Sequence, residues 1–176
     1  VLVAPPGAGK TTMVPLHLIR QPDFSGRIIL IQPRRIAARA AATRMASLLG
    51  ETVGKTVGWR MRLDTRVSAA TRIEVVTEGV FTRLILADPE LTGISAVLFD
   101  EFHERSLDAD FGLALALDVQ AALREDLAIL VMSATLDGAR VAALLGDAPV
   151  IETAGRSFPV EIQNRDRNGT ELSLIH

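Results

Sequence analysis

The 176-residue chain contains no cysteine. That absence excludes a disulfide framework and any metal site built on thiolates, and it fits a reducing compartment, so the expected location is cytoplasmic. No run of about 18 uncharged apolar residues occurs either, the length a membrane-spanning helix needs. The longest candidate, Phe111 to Leu123, is broken by Asp118 and reads as a core helix. Internal repeats and low-complexity tracts are lacking too. An initiating methionine is missing: Val1 already sits in an apolar run, so the chain reads as a fragment whose targeting is illegible.

What is present suits one compact α/β domain, because 48% hydrophobic residues fill a core of this size. The net charge of −2 conceals a polarised layout. Between Arg27 and Arg72 ten Lys or Arg face only Glu51 and Asp64, whereas from Asp100 to Asp126 eight acidic residues face Arg105 and Arg124. A phosphate-tracking basic face beside an acidic, metal-holding site would give this pattern, and so would ordinary solvated helix faces. The motifs decide between them.

Apolar strands are expected at Val1–Ala4, Ile28–Gln32, Val57–Arg62, Ile73–Thr77, Ala96–Phe99 and Ala128–Met132. Helices are expected from about Lys10 to Arg20, shortened or kinked by Pro15, and at Arg35–Leu49, Glu78–Ala87, Asp108–Leu123 and Asp137–Leu145. Gly50 is placed to stop the second helix, and Asp64–Ala70 reads as a plain connection. Strands without polar alternation, separated by helices, argue for a largely parallel sheet covered on both faces. The domain is expected over residues 1–162, with 163–176 a linker or a non-native tail.

Ala4-Pro5-Pro6-Gly7-Ala8-Gly9-Lys10-Thr11-Thr12 follows a strand and opens a helix, the context of a Walker A phosphate loop. In the loop from Pro6 to Thr12, Gly7 and Gly9 let the backbone N–H groups that follow Pro6 turn around the phosphates of ATP, Lys10 reaches the β- and γ-phosphates, and Thr11 ligates Mg2+. The usual first glycine is Ala4, tolerable at a strand end of negative φ. Asp100-Glu101 at the end of a later strand completes such a site. Alternation along the strand would point the two carboxylates apart, leaving Asp100 to hold Mg2+ and Glu101 to orient and deprotonate the attacking water.

Asp100-Glu101-Phe102-His103-Glu104-Arg105 resembles motif II of the DEAH/RHA helicases, in the spelling of the bacterial HrpB-type enzymes, with Phe102 in place of the usual alanine. Gln32-Pro33-Arg34-Arg35 resembles motif Ia of that family, Thr77-Glu78-Gly79 its motif Ib, Ser133-Ala134-Thr135 its motif III, and Gly155-Arg156-Ser157-Phe158-Pro159-Val160 its lead into a second domain. The similarity runs from Val1 to about Ile162. It implies a RecA-like P-loop NTPase fold. It also implies that Arg34, Arg62 and Thr77 contact the backbone of a single-stranded nucleic acid, RNA by family habit. Arg44 would stack on the nucleotide base, and Lys10, Asp100, Glu101 and His103 would serve catalysis. His103, Ser133 and Thr135 would couple the nucleotide to the strand.

The whole reading is the ATP-binding first RecA-like domain of an ATP-dependent RNA helicase. A second RecA-like domain would supply arginines to the transferred phosphoryl group, so the chain alone is expected to bind nucleotide and hydrolyse it very weakly. Two rivals stand beside it: a P-loop ATPase that remodels protein assemblies, and a nucleotide-dependent RNA-binding scaffold without turnover. Trp59 reads as packing rather than base stacking, and His17 as a surface or packing residue.

Overall fold

A computed structural model of the chain describes residues 1–134 and 138–153. In chain order these form β1 (Leu2–Val3), α1 (Lys10–Leu18), β2 (Arg27–Gln32), α2 (Arg35–Leu48), β3 (Val57–Met61), β4 (Asp64–Arg66), β5 (Ile73–Thr77) and α3 (Glu78–Ala87). They continue as β6 (Ile94–Phe99), a single 3-10 turn at Phe102–Glu104, α4 (Leu107–Ala122), β7 (Ala128–Ser133), α5 (Gly138–Leu144) and β8 (Ile151–Glu152). The strands make one eight-stranded sheet in the order β4-β3-β5-β2-β6-β7-β1-β8. Every neighbouring pair is parallel except β3 with β4.

The apolar runs follow from burial on both faces. Along β2, Ile28 and Leu30 enter a core shared with α1 and α2, whereas Ile29 and Ile31 enter a second core shared with α3, α4 and α5. With no solvent-facing side, such a strand has no polar alternation. The fold is therefore the expected RecA-like α/β arrangement, a largely parallel sheet with helices on both faces.

Local signals act where they were read. α1 ends at Leu18 with Pro15 inside it, one short helix of 9 residues. α2 stops in a paired cap, Glu51 N–H to Ala46 C=O at 2.9 Å and Gly50 N–H to Ser47 C=O at 3.0 Å. Gly50 takes the left-handed φ of +70° that this cap needs. Ser106 starts α4 by accepting the Ala109 N–H at 2.9 Å, and its hydroxyl reaches Glu78 at the start of α3 at 2.8 Å.

The stretch 64–70 is not a plain connection. β4 returns antiparallel along β3 through the two-residue turn Arg62-Leu63, with Met61 opposite Asp64. Only an antiparallel partner is reachable through so short a turn. Asp64-Thr65-Arg66 is a polar edge strand with no apolar alternation, so pattern alone could not show it. The edge strand β8 was missed for a similar reason, being two exposed residues. The expected tail 163–176 and the Gly155–Val160 stretch lie outside the described residues.

Phe81 is fully buried, edge-on to Phe99 with ring centroids 5.7 Å apart, and it holds α3 on the sheet. Phe81→Ala should lower unfolding stability by about 3–5 kcal/mol, measured as a shift of the urea midpoint. A loss below about 1 kcal/mol would show that α3 does not depend on this contact.

Candidate functional site

In a parallel sheet the C-terminal strand ends share one rim, and ligands bind there in open α/β folds. Nearly every expected site residue falls on it. β1 leads into the loop Ala4–Gly9, β2 into Pro33 and Arg34, β3 into Arg62, and β6 into Asp100, while β5 and β7 end on Thr77 and Ser133.

The loop has the backbone a phosphate site needs. Gly7 and Gly9 have φ of +79° and +85°. No atom lies within 4 Å of a Cβ built on Gly7, so its conformation and not crowding calls for glycine there. Ala4 is not among the residues of positive φ, and its N–H is tied to the Ser133 carbonyl at 3.1 Å, as the replacement of the usual glycine requires. Lys10 opens α1, is buried, and rests its ammonium on the carbonyls of Ala4 at 2.5 Å and Pro5 at 3.2 Å. Both acceptors are neutral, so the charge is available to an anion at the helix start. Pro6, Gly7 and Ala8 are exposed, and the Thr12 hydroxyl turns to the Gly9 carbonyl at 3.5 Å.

Thr11 joins this loop to the acidic strand end: its Oγ1 donates to Asp100 Oδ2 at 2.5 Å. Asp100 is buried, and the Glu101 N–H donates to its other oxygen at 3.0 Å. No Lys, Arg or His forms an ion pair with Asp100 among the described residues. A buried carboxylate with hydrogen bonds and no counter-cation fits a divalent ion. No group of three or more His, Cys, Asp or Glu is placed to hold a metal among the described residues. Mg2+ keeps several waters and takes one or two protein ligands plus phosphate oxygens, so the Thr11 hydroxyl and the Asp100 carboxylate are the side chains that would hold it.

Glu101 corrects the expected reason for the division of roles. β6 ends at Phe99, and Glu101 has φ 51° and ψ 34°, so a left-handed turn and not strand alternation separates the two carboxylates. Arg105, at the other end of the 3-10 turn, also has positive φ, 47°. Left-handed non-glycine residues cost on the order of 1–3 kcal/mol each and cluster at functional sites. The turn delivers His103 to β7, where its Nδ1 accepts the Ala134 N–H at 3.2 Å. Glu101 Oε2 approaches the same ring nitrogen at 3.4 Å. His103 thus joins the acidic turn to the motif III stretch beside Ser133. Thr135 lies outside the described residues.

A cavity of about 420 Å³ opens beside this cluster, lined by Thr11, Thr12, Gln32, Pro33, Arg34, Ala37, Ala40, Ala41, Arg44, Glu101 and Glu104. Arg44 and the alanine face of α2 form one wall, where a base-stacking arginine was expected. Two contributors were missed. Gln32 and Glu104 were read only as letters of motifs, yet Gln32 is a polar side chain at the end of a buried strand, a signal that was legible. Glu104 pairs with Arg34 at 3.0 Å.

The basic block does not form one phosphate track. Arg27 and Arg60 are both locked on the fully buried Glu74, at 3.2 Å and 2.5 Å, and Arg72 is spent on the carbonyls of Phe24 and Gly26. Arg34, Arg35 and Arg62 stand at the rim; Arg35 donates to the Arg62 carbonyl at 3.1 Å rather than to an acid. A larger groove of about 640 Å³ runs from Arg62 and Leu63 along α3 to Asp88 and Thr92. Trp59 is buried under α2 with the Arg66 guanidinium 5.3 Å above its ring, so it packs, and His17 is exposed beside Gln21.

The chain belongs to the DEAD/DEAH box helicase family, whose profile matches residues 1–144. It is 58% identical to the ATP-dependent RNA helicase HrpB of Escherichia coli over 92% of its own length and 20% of that protein's. It is 37% identical to the Arabidopsis thaliana DExH-box ATP-dependent RNA helicase DExH1 over 88% and 16% of the two lengths. The crystal structure of the Escherichia coli DEAH/RHA helicase HrpB superposes with a TM-score of 0.86 at 55% identity, over 96% of this chain and 22% of the other. The chain spans about a fifth of the length of these relatives or less. Among the described residues no helix is long and apolar enough to cross a membrane.

The turn that carries Arg62 is braced by Arg39, which reaches Asp64 at 2.6 Å from α2. The Arg39 hydrogen bond holds the Asp64 carboxyl below its ordinary value. A carboxylate depressed in the folded state contributes stability above its unfolded value and loses it as pH falls through the folded one. Arg39→Met should move the Asp64 titration upward towards the ordinary carboxylate value, followed by carboxyl NMR shifts. An unmoved titration would show that Arg39 does not hold this turn.

Proposed function

We propose that the chain is the ATP-binding first RecA-like domain, over residues 1–162, of an ATP-dependent RNA helicase, and that its parent protein couples Mg-ATP hydrolysis to single-strand translocation or unwinding. The observation that carries this reading is the Thr11–Asp100 contact, which joins the phosphate loop to motif II on the rim that also presents Arg34, Arg62 and Thr77.

On this reading the loop from Pro6 to Thr12 takes the phosphates. Lys10 leaves its two carbonyl partners for the β- and γ-phosphates, and Arg44 stacks on the base, with a planar guanidinium that suits any purine. Thr11 and Asp100 hold Mg2+, which when bound neutralises charge on the phosphate oxygens. Glu101 orients the attacking water and accepts its proton. His103, Ser133 and Thr135 relay the state of the nucleotide to the strand-binding rim. There Arg34, Arg62 and Thr77 contact the sugar-phosphate backbone, which positions a strand without reading its sequence.

The pairing of Arg34 with Glu104 supports a link between the two ligands. A phosphate that takes Arg34 frees an acidic side chain lining the nucleotide cavity. A second RecA-like domain of the same parent would supply the arginines that stabilise the transferred phosphoryl, and their loss costs roughly three to five orders of magnitude in rate. The chain alone should therefore bind nucleotide but barely turn it over.

The test is ATP hydrolysis by the parent protein with and without single-stranded RNA. RNA should stimulate it. Glu101→Gln should lower kcat by roughly 10²–10⁴-fold, and Lys10→Ala should abolish stimulated turnover. Hydrolysis indifferent to RNA would contradict the helicase reading and favour a protein-remodelling ATPase. RNA binding with no turnover would favour a scaffold.

A further inference from the structure

Gln32, the last residue of β2, is 1% exposed, and its Nε2 donates to Asp100 Oδ2 at 2.5 Å. A carboxylate only accepts hydrogen bonds, so the amide must present its NH2 to Asp100. Oδ2 thus carries two donors, Thr11 and Gln32, and Oδ1 carries the Glu101 N–H.

These three donors are not equivalent. The Thr11 hydroxyl is itself the proposed metal ligand: a lone pair would face the ion while its O–H donates to Asp100, so this bond moves with the phosphate loop and its ligands. The Glu101 N–H belongs to the same turn as the carboxylate it meets and cannot fix that turn against the sheet. Gln32 is anchored independently. It is paired with Thr77 in the β2–β5 ladder, and the Asp100 N–H donates to the Ile31 carbonyl at 3.1 Å. The amide and the carboxylate therefore project from adjacent, hydrogen-bonded backbone at fixed register.

We propose that Gln32 is a positioning residue for the metal: its amide fixes the Asp100 carboxylate in the orientation that holds hydrated Mg2+ beside the bound nucleotide. It satisfies one lone pair of Oδ2 whether or not the ion is present, so the buried carboxylate keeps its geometry when the phosphate loop adjusts to its ligands. Partners that orient a metal ligand typically account for about 10–100-fold in metal affinity. The inference rests on the Mg-nucleotide reading of this site.

The experiment titrates Mg2+ against binding of a fluorescent ATP analogue to the parent protein, with hydrolysis not required for the signal. Gln32→Met keeps length and burial but has no donor. It should raise the Mg2+ concentration for half-maximal tightening by about 10–100-fold, a larger change than any in the affinity measured in EDTA. In an Asp100→Asn background Gln32→Met should add nothing further. A wild-type Mg2+ requirement in Gln32→Met would overturn the proposal, as would an equal loss of affinity with and without Mg2+, the sign of a merely structural role. Should Gln32→Met lose its cooperative melting transition, Gln32→Asn is read in the same way, its shorter amide expected to raise the Mg2+ requirement by a smaller factor. Failure of the underlying reading would be visible in the wild type, as nucleotide binding that does not respond to Mg2+.

Discussion

The arrangement of the site depends on one buried carboxylate. Asp100 directly follows the central strand β6 and is buried, and no side-chain cation pairs with it among the described residues, so its charge is held by hydrogen-bond donors from elsewhere in the chain. Thr11 brings the phosphate loop to it from one side and Gln32 brings the neighbouring strand end from the other. Residues far apart in the chain are thereby fixed around one point, which no single helix or loop could do. The left-handed turn at Glu101 follows from the same constraint, because the chain must leave β6 sharply enough to put a second carboxylate near the cavity without burying it beside the first.

From that point the rim extends in both directions. His103 ties the acidic turn to the backbone of Ala134 on the β7 side, and the Glu104–Arg34 pair ties it to the start of α2 on the β2 side. An exposed ion pair of this kind contributes little stability, on the order of 0–1 kcal/mol. Its place suits exchange of partners better than rigidity. The Arg27–Glu74–Arg60 cluster is the contrasting case: Glu74 is fully enclosed, and its two partly exposed arginines join β2, β3 and β5.

Much of this was legible in the sequence where the signal was local or covalent. Strands buried on both faces show as apolar runs, Gly7 and Gly9 mark left-handed backbone, and Pro15 limits α1. The motifs fell on one rim because parallel strands can only end together. What was not legible arises from pairing across the chain. β4 is polar and becomes a strand only because the Arg62-Leu63 turn folds it onto β3. The separation of Asp100 from Glu101 was expected for the wrong reason: the strand end at Phe99 was legible, but nothing in a glutamate signals the left-handed backbone that turns Glu101 away. The basic block looked like one surface because charge counts carry no direction, whereas Arg27 and Arg60 pair with the buried Glu74 and Arg72 with backbone carbonyls.

The most direct measurement is a double-mutant cycle on Thr11 and Asp100, read by calorimetric titration of ADP in the presence of Mg2+. If the loop and the strand end make one site, Thr11→Val and Asp100→Asn should each weaken binding, and the double variant should lose much less than the two single losses combined. Losses that simply add would mean that the two residues act independently, and would contradict the account of a single Mg-nucleotide site assembled around Asp100.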